Sequence, residues 1–146
     1  MTALPGYGSK HDGRHRSLVT IAELVRRDIK AATGTGLLPA RLRATVRSTG
    51  LGVAVRVREC PDVVFLSTKR IRADLRGERP SPSSPVLSPA GLRVLAAIEA
   101  IVCAYKRPRT ARPSARNFLA HVEFSPDLAA RLRAEIVAAV HLSRAA

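Results

Sequence analysis

The chain has no tryptophan, and its two tyrosines and three phenylalanines make up 3% of 146 residues. Those few rings are needed in a core, so a stacking platform for unpaired bases is excluded as the main binding device. No stretch reaches the roughly 18 uninterrupted apolar residues of a membrane-spanning helix, and no membrane contact is expected. Lys10, Arg14 and Arg16 lead into a charged amphipathic segment holding Glu23 and Asp28. A secretory leader would continue with an unbroken apolar run, so no signal peptide is expected and the cytoplasm is the expected location. The two cysteines, Cys60 and Cys103, stand outside any metal-ligand spacing. Both are expected to be reduced, with Cys103 a buried structural thiol.

Acidic residues are also scarce. Eleven Asp and Glu face 25 Lys and Arg, for a net charge of +14 and a pI near 11.5. Arginine supplies 21 of the 25 cations. With abundant alanine, this is the usage of a GC-rich genome, so the placement of the charge is more informative than its total. The apolar fraction of 46% supports one core, whereas two separate cores would each be marginal at this length.

Periodicity divides the chain. Residues 1–17 have no apolar period and are expected to form a disordered basic arm. Thr20 and Glu23 have capping-box spacing, with Val19 and Leu24 placed as a hydrophobic staple. Ile21, Leu24, Val25, Ile29 and Ala32 then recur at helical spacing until Gly34, Gly36 and Pro39 end the helix. From Arg41 to Arg47 the period is two, and Val53, Val55 and Val57 alternate beyond a glycine-containing reversal, which predicts a β-hairpin. Residues 60–87 admit two readings: a strand extended over Val63 to Leu66, or a short helix capped by Asp62 and carrying Val64, Ile71 and Leu75. A Pro/Ser-rich linker is expected over 78–89. Ser88 and Pro89 open a second helix with a stripe at Leu92, Leu95, Ile98, Val102 and Tyr105, widened by Val94 and Ile101. A third strand follows, with Phe118, Ala120, Val122 and Phe124 inward and Leu119, His121 and Glu123 outward. A last helix carries Leu128, Leu132, Ile136 and Val140. The expected fold is α+β, in the order α-β-β-α-β-α, within one domain over 18–146. Its helices pack on one face of a small antiparallel sheet.

Several segments carry a family likeness: Ile21 to Ala32, Gly36-Leu-Leu-Pro39, Thr45-Val-Arg47, Val55 to Asp62, Ile101-Val-Cys-Ala-Tyr105 and Phe118 to Phe124. Across most of residues 18–124 the chain resembles the large-polyvalent-protein-associated domains of bacterial, phage and plasmid proteins. That resemblance implies a module of mobile elements with no established enzymatic activity. The chain departs from the family pattern after Tyr105, where basic residues replace an acidic stretch, and in its sparse strand aromatics.

No motif for catalysis or for a cofactor emerges. His11 and His15 have helical spacing but no acidic or cysteine partner for zinc. His121 and Glu123 share the outer face of a strand, as a general acid-base pair or as ordinary solvated residues. Thr33-Gly-Thr-Gly36 follows a helix, whereas a phosphate-cradling loop precedes one. Neither Cys60 nor any serine assembles with a histidine by spacing.

Charge is placed unevenly. Residues 1–59 carry +7 and residues 88–116 carry +5, while residues 117–146 are neutral. The hairpin pattern puts Arg41, Arg43, Arg47, Arg56 and Arg58 on one sheet face. Lys106, Arg107, Arg109, Arg112 and Arg116 crowd a proline-interrupted loop that is expected to join them. Such a surface would neutralise phosphates and release counterions, but no base-reading motif accompanies it. The expectation is a non-enzymatic protein that grips nucleic-acid phosphates with little sequence selectivity. The alternative is an interaction module whose arginine face docks an acidic protein or a second subunit.

Overall fold

The structure, a computed structural model, describes residues 3–12, 16–79, 84–108 and 117–145. Helix α1 spans Leu18–Thr35 and is followed by strands β1 (Arg43–Ser48) and β2 (Gly52–Glu59). Helices α2 (Thr68–Leu75) and α3 (Pro89–Cys103) then precede β3 (Leu119–Phe124) and α4 (Pro126–Ala145). The α+β class holds, and α2 adds a short helix to the expected order. The two readings of 60–87 resolve to that helix, capped by Ser67, whose Oγ accepts from the Arg70 amide. Ile71 is its buried residue, while Val64 precedes it and is exposed.

Helix α1 starts three residues earlier than the Thr20 cap predicts. Ser17 is the N-cap, and its Oγ accepts from the Thr20 amide at 3.2 Å. Val19 therefore falls in the first turn and faces solvent, 59% exposed, so it forms no staple. Gly36 closes the helix at φ 86°, a left-handed conformation that glycine adopts without Cβ strain.

The sheet order is β1-β2-β3. The hairpin pairs antiparallel, with Val46 opposite Val55. β3, however, runs parallel to β2, with Val53 beside Ala120 and Val57 beside Phe124. The sheet is therefore mixed, which corrects the antiparallel expectation. The crossover through α2 and α3 returns the chain to the hairpin-turn end before β3 begins, and a parallel neighbour requires such a connection. Gly52 permits the pairing at close range: a Cβ on it would lie 1.9 Å from the Leu119 carbonyl oxygen.

One face of the sheet is covered. Val46, Val53, Val55 and Val57 are buried there, with α1 packed on β1 and β2, α3 on β3, and α1 against α3. Helix α3 is rotated from its expected stripe, since Leu92 is 46% exposed and Gly91, Val94, Ala97, Ile98, Ile101 and Val102 face inward. Gly91 explains the rotation, because it rests on Phe65 where a Cβ would lie 2.4 Å from the Phe65 carbonyl oxygen. Phe65 also stacks on Phe124, with ring centroids 4.0 Å apart. α4 packs against α2.

The N-terminal residues differ from the arm expected of them. Over 3–12 they lie on the end of α3, where the Gly8 and Lys10 amides donate to the Cys103 and Ala104 carbonyls at 2.9 and 2.8 Å. These are helix-end acceptors that would otherwise lack partners. Residues 1–2 and 13–15 lie outside the described residues. The expected linker is described in part. Residues 80–83 lie outside, while Val86 and Ser88 bond Ser67 and Phe65 through their backbones, and Leu87 bridges Leu66. No helix among the described residues is long and apolar enough to cross a membrane.

Candidate nucleic-acid interface

The uncovered face of the sheet follows from strand alternation. With the valines inward, the residues between them point to the other side. Register then sets the rows: Arg43 opposes Glu59, Thr45 opposes Arg56, and Arg47 opposes Ala54. β3 continues two of these rows, placing Glu123 beside Arg56 and His121 beside Ala54. A shallow cleft of about 240 Å³ runs over this face, lined by Thr45, Arg47, Arg56, Arg58, His121 and Glu123 among others.

The arginines are not equivalent. Arg56 donates from Nε to Glu123 Oε1 at 2.9 Å, and His121 Nε2 lies 3.4 Å from the other carboxylate oxygen. The Arg56 hydrogen bond holds the Glu123 carboxyl below its ordinary range. Arg43 Nε lies 3.6 Å from Glu59 Oε2. Arg41 sits before β1 and bonds Asp62 through two guanidinium nitrogens. That contact lowers the Asp62 carboxyl and raises the Arg41 guanidinium from their ordinary values. Arg58 reaches a hydroxyl, donating from Nε to Thr45 Oγ1 at 3.4 Å. Among the described residues, neither Arg47 nor Arg58 makes an ion pair. Four arginines and two glutamates leave this face with a net charge of +2, and Arg47 and Arg58 carry it.

The basic loop does not extend this face among the described residues. Arg109, Arg112 and Arg116 lie outside them. Lys106 places Nζ 5.7 Å from the Phe118 ring, and Phe118 shares strand parity with Ala120, Val122 and Phe124 on the covered side. Arg107 lines a separate cavity with Leu18 and Ile21 of α1. Lys106 and Arg107 thus stand on the helix side of the sheet, opposite the hairpin arginines. They are there because they directly follow α3, which belongs to the helix layer.

Two arrangements have only faint traces in the sequence. Arg26 of α1 donates to the Val46 carbonyl of β1 at 2.7 Å, occupying an acceptor on an edge strand, where free acceptors invite further pairing. Asp28 accepts from Lys10 Nζ at 2.8 Å and from the Tyr105 hydroxyl. Lys10 also lies 5.7 Å from the Tyr105 ring. Burial works against the Asp28 carboxylate, but the Lys10 and Tyr105 hydrogen bonds outweigh it and hold its pKa low. Burial and the bond to Asp28 push the Tyr105 hydroxyl up to about 12. The signal was Asp28 itself, an acid set between Val25 and Ile29 on the apolar side of α1, where it needs a partner.

Guanidinium forks and hydroxyls on an open face are donors suited to phosphate oxygens. Among the described residues no cluster of His, Cys, Asp and Glu could hold a metal ion. Comparison with protein-family models, curated proteins and solved structures finds no match for this chain.

Proposed function

We propose that this chain is a non-enzymatic, cytoplasmic nucleic-acid-binding protein that grips the phosphate backbone with the open face of its sheet. The observation that carries this reading is the pair of unneutralised arginines, Arg47 and Arg58, in a cleft with Thr45 and Arg56. Arg43 and Arg56 add to the field but are held by Glu59 and Glu123. Positioning on phosphates without base-edge contacts binds many sequences nearly equally, and neither Phe nor Tyr lines the cleft for stacking. An association with mobile elements rests on the resemblance of residues 18–124 alone.

Anisotropy titrations with labelled duplex DNA, single-stranded DNA and RNA, each at low and high salt, test the proposal. Binding at low salt that weakens steeply with added salt is expected. No binding to any of the three at low salt refutes it. Complexes recovered from cells that survive nuclease treatment and are lost on neutralising Arg43 and Arg56 would instead assign this face to an acidic protein partner.

A further inference from the structure

A larger cavity, of about 500 Å³, lies on the other side of the sheet at its hairpin-turn end. Its walls come from the N-terminal segment, the first turn of α1, the β1–β2 turn and the stretch entering β3. Its apolar wall is Leu18, Ile21, Leu51 and Phe118, and its cations are Lys10, Arg16 and Arg107.

These cations differ in what they can still bind. Lys10 is committed to Asp28 at 2.8 Å, and Arg16 to Asp12 at 2.8 Å, with its guanidinium 5.9 Å from the Tyr105 ring. Arg107 is held by its backbone instead. Its amide donates to Asn117 Oδ1 at 2.9 Å, and its carbonyl accepts from Asn117 Nδ2 at 3.1 Å. Among the described residues its guanidinium has no carboxylate partner. Asn117 therefore fixes the root of the side chain and leaves the head for an anion.

From this geometry we infer that the cavity binds a small aromatic phosphate, of the class of a nucleoside monophosphate. The phosphate sits against Arg107, and the heterocycle against Phe118 and Ile21. A volume of about 500 Å³ falls in the range of small-molecule sites. Phe118 adds a ring face to the apolar wall, which suits a planar heterocycle better than an alkyl chain. This site is independent of the phosphate-binding sheet face, because it lies on the opposite side of β2 and β3 and shares no lining residue with the cleft.

The test is a titration of the full-length, ¹⁵N-labelled chain with AMP, alongside adenosine and inorganic phosphate, followed by amide chemical shifts. AMP is expected to shift Ser17, Leu18, Leu51, Asn117 and Phe118, and to bind more tightly than either fragment. Arg107→Ala is expected to weaken AMP roughly tenfold or more, the worth of a hydrogen bond to a charged group, while leaving adenosine unchanged. Leu51→Asp, on a side chain 73% exposed, brings an acid to the rim and should weaken AMP with no loss of fold. Arg47→Ala with Arg58→Ala should leave AMP binding intact even if it abolishes DNA binding, so the two sites fail separately. No shifts at these amides at about millimolar AMP, shifts confined to the open sheet face, or an Arg107→Ala variant that binds AMP unchanged each overturn the inference.

Discussion

Replacing Arg47 and Arg58 together by alanine removes the two face cations that no carboxylate among the described residues neutralises, and its effect can be calculated. On duplex DNA the slope of log affinity against log salt is about −0.9 for each phosphate neutralised. Arg47 and Arg58 each on one phosphate give about −1.8, and the double variant about zero. A rise from about 50 to 200 mM salt then costs the parent roughly 12-fold in affinity and leaves the double variant nearly unchanged. A second variant tests the same account in the opposite direction. Glu123→Gln removes the carboxylate that holds Arg56 at 2.8–2.9 Å. A unit charge about 6 Å from a bound phosphate in water is worth about 0.7 kcal/mol, so binding should tighten about threefold. Anisotropy titrations of labelled duplex at four salt concentrations give both slopes and affinities. A double variant with the parent's slope, or a Glu123→Gln variant that binds more weakly, refutes the reasoning.

Further outcomes concern the scaffold. Gly52→Ala places a Cβ where only 1.9 Å separates it from the Leu119 carbonyl oxygen, so urea unfolding should show a loss of about 1–3 kcal/mol as β3 is pushed from β2; Gly34→Ala, in open space near the end of α1, should gain about 0.4–1 kcal/mol. Tyr105, with its hydroxyl pushed up to about 12 from an ordinary 10.0, contributes stability that is complete below pH 10 and lost as the pH rises towards 12. Asp28, held below its ordinary 3.8, contributes stability that is present above that value and lost as the pH falls through its lowered pKa. Denaturation midpoints across pH should show both limbs, and Tyr105→Phe should remove the alkaline one and cost about 1–3 kcal/mol at neutral pH. Cys60 is buried, and burial, followed by the nearby Asp62 charge, pushes its thiol up; in a Cys103→Ser background it should react with a thiol reagent only as fast as the protein opens.

Much of this molecule was legible locally. Alternation through Val53, Val55 and Val57 sorted the hairpin's faces, and the same parity put His121 and Glu123 on the arginine side. Helical spacing and Gly36 marked the body and end of α1, because side-chain period and left-handed turns are properties of a few consecutive residues. The α1 start was misplaced because Ser17 and Thr20 are both competent caps, and the backbone adopted the first. The inward face of α3 was misjudged because Gly91 has no apolar side chain to announce it, although its bareness is what brings the helix against Phe65.

Composition and order along the chain determined an α+β class and an arginine-bearing sheet face, with few aromatic rings to spare beyond the core. The tertiary structure decided that β3 lies parallel to β2, that Lys106 and Arg107 fall behind the sheet and not on its arginine face, and that Arg56 is matched by Glu123, 67 residues away. It also decided that Lys10 leaves the expected arm to meet Asp28 and Tyr105. Periodicity reports which way a side chain points within its own element, whereas the partner it meets depends on how distant elements pack, and no local pattern carries that information.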